Sequence, residues 1–430
     1  MSPRRPSWRA LAHPEAISGS ILRAPLPHLQ IGELCLIQRS AADETLLGEG
    51  TVVAVEQGHA SIGLLRDSAG LSVQCLVAPT GNPPAVHVSA GLLGAVLDAR
   101  GNVVERLAPA VGGGGWWCGL QGSGSDYRSR AEIHTPLCTG VRAIDALLTC
   151  GEGQRVGIFA AAGAGKTTLA EMLLENADVD VSVVALIGER GREVASLVER
   201  LRGSEQAART IVIQATSDTA PALRSQAAQL AATVAEAFRD QGLRVLLLMD
   251  SVTRYARALR ELALGTGELP ARRGFPASVF EALPRLMERG GRTANGSITA
   301  FYTVLLEDEH DGDPIGEEVK SLLDGHLYLS AALAGRGHFP ALDVLRSSSR
   351  LFARLADARQ QHAAQHVRSL LGTLEELRMV RELGEYRPGA SAHYDAAVNA
   401  EQGLLAFLRQ PLDQVSGWDD SQEALHALVR

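Results

Sequence analysis

From Ile21 to Leu107 the chain alternates short β-prone runs with turn signals: GELCLIQ, GTVVAVE, HASIGLL, LSVQCLV, and GAVLDARGNVVERL with its Arg-Gly-Asn turn. Short strands at regular spacing predict a small sandwich or barrel over residues 21–108. Upstream, Pro3, Pro6 and Pro14 make residues 1–20 read as a loose tail that carries Arg4, Arg5, Trp8 and Arg9. Downstream, the glycine run at 112–115, followed by Gly119, Gly122 and Gly124, predicts a flexible linker over 109–135. From Pro136 the texture changes. QRVGIFA, VSVVALI, RVLLLMD, SITAFYTVLL and HLYLS are near-continuous apolar runs, and KTTLAEMLLENA and PALRSQAAQLAATVAEAFRDQG have helical periodicity. Apolar strands alternating with helices predict a parallel sheet covered on both faces, an α/β core over 136–350. After Arg350 the pattern is helical to the end, with a break at Arg387-Pro388-Gly389, so 351–430 reads as a helical domain.

Composition changes this picture little. The chain has 430 residues, 46% hydrophobic and 21% charged, which supplies core material and excludes wholesale disorder. A net charge of −8, from 41 basic and 49 acidic side chains, argues against a protein that coats nucleic acid, which needs a basic face. Lys166 and Lys320 are the only lysines, so any role that needs a compact ammonium falls on them. The five cysteines are odd in number and form no CxxC, which disfavours a metal site or a disulfide framework and suits a reducing compartment. No apolar run reaches the ~18–20 residues that span a bilayer. The early arginines precede no apolar segment of a secretory signal. The expectation is a soluble cytoplasmic protein, at most peripheral to a membrane.

The sharpest chemical signal is Ala160-Ala-Ala-Gly-Ala-Gly-Lys-Thr167, directly after a strand and opening a helix. This is the phosphate-binding loop pattern with alanine in place of its first glycine. Small residues at Ala161, Ala162, Gly163, Ala164 and Gly165 let backbone N–H groups curl around phosphates, and the helix N-terminus adds a favourable dipole. Lys166 reaches the β- and γ-phosphates, and the Thr167 hydroxyl, beside Thr168, is a Mg²⁺ ligand. Asp250 ends the strand RVLLLMD, where an acid faces the ligand crevice and attends Mg²⁺; an N-cap of the next helix is the local alternative. Glu189, just past VSVVALI, can deprotonate the attacking water or merely complement a helix dipole. Arg350, after Ser347, Ser348 and Ser349, can neutralise a transferring phosphoryl group or lie solvated behind a serine cap.

Residues 21–430 resemble the hexameric ATPases that include the catalytic subunit of rotary ATP synthase and the protein-export ATPases. The resemblance is carried by TGVRAIDALLTCGEGQRVGIFAAAGAGKTTL (139–169), IGERGREV (187–194), LLLMDSVTRYARALRELALGTGELPARRGFPASVF (246–280), SITAFYTVLLEDEHDGDPIGEEVKSLLDGHLYLS (297–330) and GHFPALDVLRSSSR (337–350). FAAAGAGKTT, EEVKSLLDGH and DVLRS are similar to type III secretion (injectisome) ATPases; flagellar export enzymes usually read FAGSGVGKS in the loop. The resemblance implies a RecA-like P-loop NTPase core with an N-terminal β-barrel and a C-terminal helical domain, and ATP hydrolysis with Mg²⁺ in a homohexamer. It implies that Glu189 is the catalytic glutamate, with Arg190 after it, and that Arg254 approaches the γ-phosphate. Arg350 would then serve the neighbouring subunit's nucleotide, and Phe339 would stack on adenine where a tyrosine is common; a core aromatic is the alternative for Phe339. Implied partners are a central stalk, a peripheral stator, chaperone–effector complexes, the export gate and the cytoplasmic face of the inner membrane, with no nucleic acid. The acidic insert 307–313 departs from the family pattern. The transcription-terminator helicases share this core but need basic or aromatic RNA loops. Non-catalytic nucleotide-binding subunits lack the glutamate, and the ATP synthase catalytic subunit has a Gly-Gly-Ala-Gly-Val loop.

Overall fold

The computed structural model describes residues 10–122, 126–307 and 312–429. Arg4, Arg5, Arg9, Trp8 and the centre of the acidic insert lie outside these residues. The chain divides into two compact units, one of Met1–Arg128 with Val181–Gly290 and one of Ser129–Asp180 with Gly291–Arg430.

In the first unit six antiparallel strands form a sheet in the order Ala16–Ser18, Ile21–Ala24, His59–Leu64, Leu46–Glu56, Leu34–Gln38 and Leu76–Pro79. A bridge between Ala12 and Val77 joins the two edges and closes the barrel. Alternation sets its core: Leu22, Cys35, Ile37, Ile62, Leu64 and Val77 are fully or almost fully buried inside. The stretch read as a loose tail thus begins pairing at Ala12. A barrel must cover its last strand edge, and that demand leaves no local sequence pattern.

The barrel ends at Pro79, earlier than residue 108. Ala95–Leu97 and Val103–Arg106 do form the hairpin that the Arg-Gly-Asn turn predicts, but Ala95–Leu97 runs parallel to Thr210–Ala215 in the α/β part. The glycine-rich stretch read as linker supplies a strand, Gly115–Gly119, antiparallel to Ala85–Ser89. The remaining strands of this unit run Arg244–Asp250, Val181–Ile187, Thr210–Ala215, in parallel pairs. They are buried along nearly their whole length, as expected for a doubly covered sheet. The helix Pro221–Arg239 packs on all three.

In the second unit Arg155–Ala160 lies between Ser297–Leu305 and Gly325–Leu329, parallel to both. Leu342–Ser349 then adds antiparallel to Gly325–Leu329, pairing Leu342 with Leu329 and Ser349 with Gly325. Three longer helices, Ala358–Glu382, Ala392–Leu408 and Trp418–Ala427, follow. They bury Val367, Leu377, Leu404 and Leu425 completely or nearly so. Gln360, itself buried, stitches the first of them to the core through the carbonyls of Asp145 (3.1 Å) and Ala146 (3.0 Å) and the Thr149 hydroxyl (2.8 Å). No helix among the described residues is long and apolar enough to cross a membrane.

Candidate active site

In the second unit the buried strand Arg155–Ala160 runs into a tight loop, and the helix Lys166–Asn176 begins at its end. Gly165 caps that helix with φ +86°, in the left-handed region where glycine carries no penalty. A Cβ there would also lie 3.2 Å from the Phe339 ring, so the residue must stay small for the ring to approach. Ala162, Gly163 and Thr167 are exposed, Ala164 is buried, and Ala161, Gly165, Lys166 and Thr168 are intermediate. No side chain caps the helix, and a helix N-terminus of this kind favours an anion.

Phe339 is 37% exposed, which rules out the buried-core reading of this aromatic. It lines a cavity of about 430 Å³ with Thr168, Gly337, Arg409, Gln410, Pro411 and Leu412. The far wall is the loop after helix Ala392–Leu408, held by Arg142, which donates to the carbonyls of Phe407 and Arg409 at 2.8 Å each. The Gln410 N–H donates to the Phe339 carbonyl at 2.9 Å. Burial, with the charge of Arg409 next, pushes the neighbouring His338 imidazole below its ordinary value. A flat apolar ring beside the phosphate loop is a fitting surface for a nucleobase.

The first unit holds the carboxylates. Glu189 follows Val181–Ile187 and is buried, with 3% exposure. Arg254, on the helix Val252–Gly265, donates from Nη2 to Glu189 Oε2 at 3.2 Å and from Nη1 to the Gly188 carbonyl at 2.6 Å. Its Nε lies 3.0 Å from Glu189 Oε1, an ion-pair distance without hydrogen-bond alignment. A Cβ on Gly188 would meet Arg254 Cδ at 2.9 Å, and φ there is +68°, so glycine is required for this approach. The dipole alternative for Glu189 does not hold: Arg190 is the N-cap of the next helix, and the acid in its first turn is Glu193. Asp250 is buried at the carboxyl end of its strand, one strand away, where Leu186 is its register partner. Its capping alternative falls to Ser251, whose hydroxyl accepts from the Arg254 N–H at 3.3 Å.

Arg350 is exposed just past Leu342–Ser349. The serine-cap reading fails, because the next helix, Phe352–Leu355, is preceded by Leu351 with no side-chain cap. The serines face other partners: Ser347 donates to the Asp343 carbonyl, and Ser349 donates to the Thr149 carbonyl. The register also separates the two ends of the strand. Leu342 lies beside Leu329, which lies beside Ala160 at the phosphate loop; Ser349 lies beside Gly325, which lies beside Val156 at the opposite end. Arg350 is therefore about 17 Å from its own loop, the length of Arg155–Ala160 at ~3.3 Å per residue.

The nucleotide-binding domain model of the ATP synthase alpha/beta family matches residues 140–349, and the EscN-type secretion ATPase C-terminal domain matches 356–427. The SPI-1 type 3 secretion system ATPase of Salmonella typhi is 49% identical over 419 residues, 97% of either chain. The chain belongs to the type 3 secretion system ATPases. The assembled ATPase EscN of enteropathogenic E. coli is similar in structure at TM-score 0.89 and 38% identity, over 96% of this chain and 99% of that one. The same enzyme with its central stalk EscO gives TM-score 0.86 at 37% identity, with the same coverage.

This secretion ATPase groups its sequence-identified residues unevenly. The loop residues and Phe339 come together, and so do Glu189 and Arg254. Arg190 does not join them: its side chain is 72% exposed and pairs with Glu193, at 3.9 Å. Arg409, Gln410, Pro411 and Leu412 were missed; Pro411 marks a helix end, but nothing local says which surface that end meets. Each unit carries a hard oxygen donor of the kind Mg²⁺ takes, the Thr167 hydroxyl in the second and the Asp250 carboxylate in the first.

Proposed function

We propose that this type 3 secretion ATPase works as a homohexamer in which each nucleotide is held by one subunit's loop and completed by the next subunit's Arg350. The location of Arg350 carries this reading: it is exposed, and it stands at the far end of its own strand from its own loop. The distance exceeds the length of an arginine side chain. In this reading Lys166 binds the β- and γ-phosphates, Phe339 stacks on the adenine, and Thr167 and Asp250 hold Mg²⁺, which supplies charge neutralisation when bound. Glu189 takes the proton of the attacking water once nucleotide draws Arg254 from it, and Arg254 then faces the γ-phosphate. Arg190 is supported only by its place after Glu189.

The work done would be chaperone release and unfolding of secreted proteins at an export gate, on the cytoplasmic face of the inner membrane. The support is family membership, together with a neighbour solved with its central stalk. A peripheral stator is a further expected partner.

The trans arrangement has a direct test. Arg350→Ala should bind ATP and hardly turn over, since an arginine supplied in trans is worth about 10³–10⁵ in rate. Mixed with Lys166→Ala, it should regain part of the activity at interfaces that pair an intact loop with an intact arginine. Full activity of Arg350→Ala alone, or no recovery on mixing in rings shown to contain both proteins, would overturn it.

A further inference from the structure

We infer that Gln154 and Asp324 are positioning residues for Arg350, a clamp that ties its main chain to the base of the strand whose other end carries the phosphate loop. The inference rests on the trans reading of Arg350 and adds the parts that hold it. All of them lie within the second unit. The Arg350 N–H donates to the Asp324 carbonyl at 2.9 Å. The same carbonyl accepts from Gln154 Nε2 at 3.1 Å, and that amide nitrogen also donates to the Ser349 hydroxyl at 3.0 Å. Gln154 Oε1 accepts from the Gly151 N–H at 2.8 Å, which fixes the amide's orientation, and the side chain has 0% exposure.

A second attachment lies beside the first. The Asp324 carboxylate accepts from the Arg155 N–H at 3.2 Å and from Arg155 Nε at 3.1 Å. Gln154 and Arg155 are consecutive and lead directly into the strand that ends at the loop. A fully buried amide with its acceptor and two donor contacts satisfied is a rigid joint, because breaking any contact strands a buried polar group. An exposed arginine on a long side chain has no such rigidity of its own. The clamp makes the arginine's base an extension of the strand, so a shift of that strand when its own loop fills moves the arginine offered to the neighbour.

Residues in this role should change turnover and leave nucleotide binding alone. Gln154→Leu keeps the volume and removes all three contacts. Turnover should fall by about 10-fold or more, since a displacement of ~1 Å far from the chemistry can cost that much. Affinity for a fluorescent ATP analogue should be unchanged. The discriminating readout is complementation: Gln154→Leu mixed with Lys166→Ala should regain activity, because the variant's intact loop then meets an intact arginine on an intact clamp. A defect in the variant's own loop would not be rescued this way.

Ser349→Ala removes the acceptor of the Gln154 amide, and the hydroxyl's own bond to the Thr149 carbonyl, with little change of volume, and serves if Gln154→Leu does not fold; its turnover should fall about 3-fold with binding unchanged. Wild-type turnover in the folded variants, weakened nucleotide binding, or no rescue on mixing would overturn the inference. Arg350→Ala in the same assay keeps the two readings apart. If Arg350→Ala retains full activity, the trans reading has failed; if it is dead and rescued while the clamp variants are fully active, only the clamp has failed.

Discussion

The phosphate loop and the Glu189–Arg254 cluster do related chemistry with different materials. The loop is made of consecutive residues, and its binding groups are backbone N–H donors at a helix start plus one lysine. The cluster is made of side chains 65 positions apart, brought together by adjacent strand ends and one helix. A backbone cradle is specified by where small residues and a glycine with positive φ fall, so it can be read directly. A side-chain pair needs the sheet order first, and either partner alone looks ordinary. The two regions should also fail differently: the loop through lost ligand binding, the cluster through a buried charge left without its partner.

The largest expected effect is at the loop. Lys166→Ala should lower steady-state phosphate release by at least about 10³ and weaken nucleotide binding. Retention of a tenth of the activity would show that the cradle works without its charge.

Next is Glu189→Gln, which keeps shape and loses the carboxylate. Single-turnover hydrolysis should drop by about 10²–10⁴ while a fluorescent ATP analogue still binds. A parallel loss of binding would make the cluster part of the cradle and erase the contrast.

Arg254→Ala probes stability. It leaves the Glu189 carboxylate buried without its partner, and removing one member of a buried pair costs about 3–5 kcal/mol. Arg254 is itself a quarter exposed, which places the expectation at the low end, about 3 kcal/mol by denaturant unfolding. The double variant Glu189→Gln/Arg254→Ala should recover part of this. Simple additivity would mean that the two groups do not interact.

The smallest effect is a pH dependence away from both regions. Asp145 is wholly buried, and desolvation pushes its carboxyl from 3.8 up to about 7, against the opposing donors at Thr139, Gly140 and Cys138. The folded state therefore holds the proton more tightly than the unfolded chain does. The stabilisation is present in full below about pH 4 and is lost as pH rises through about 7. Unfolding midpoints of wild type and Asp145→Asn, compared from pH 5 to 8, should show the wild type losing more over that range. Parallel curves would place the ionised carboxylate comfortably among its donors.

Much of the architecture was legible because it is written in period and length. The change from short alternating runs to continuous apolar ones marked the passage from barrel to covered sheet, and the strand before Lys166 and the strand ending at Asp250 lie where their patterns put them. What misled was partner choice. Ala95–Leu97 has the texture of a barrel strand and pairs with Thr210–Ala215. Gly115–Gly119 looks like linker and forms a strand. Pairing energy comes from whichever edge is offered, and a three- or five-residue run cannot encode that choice.

The same division runs through the chemistry. Sequence alone determined the phosphate loop, since a strand, a run of small residues and a lysine at a helix start suffice to build an anion cradle from the backbone. It also named Glu189, Asp250 and Arg350 as candidates, each with an ordinary capping, dipole or surface role standing beside the catalytic one. Only the tertiary structure narrowed those alternatives: Glu189 is buried against Arg254, Ser251 takes the cap next to Asp250, and the serines before Arg350 turn to other partners while Arg350 itself is exposed. It also decided that Phe339 and Arg350 stand at opposite ends of one strand, because strand register is a property of neighbours and not of the strand that carries it.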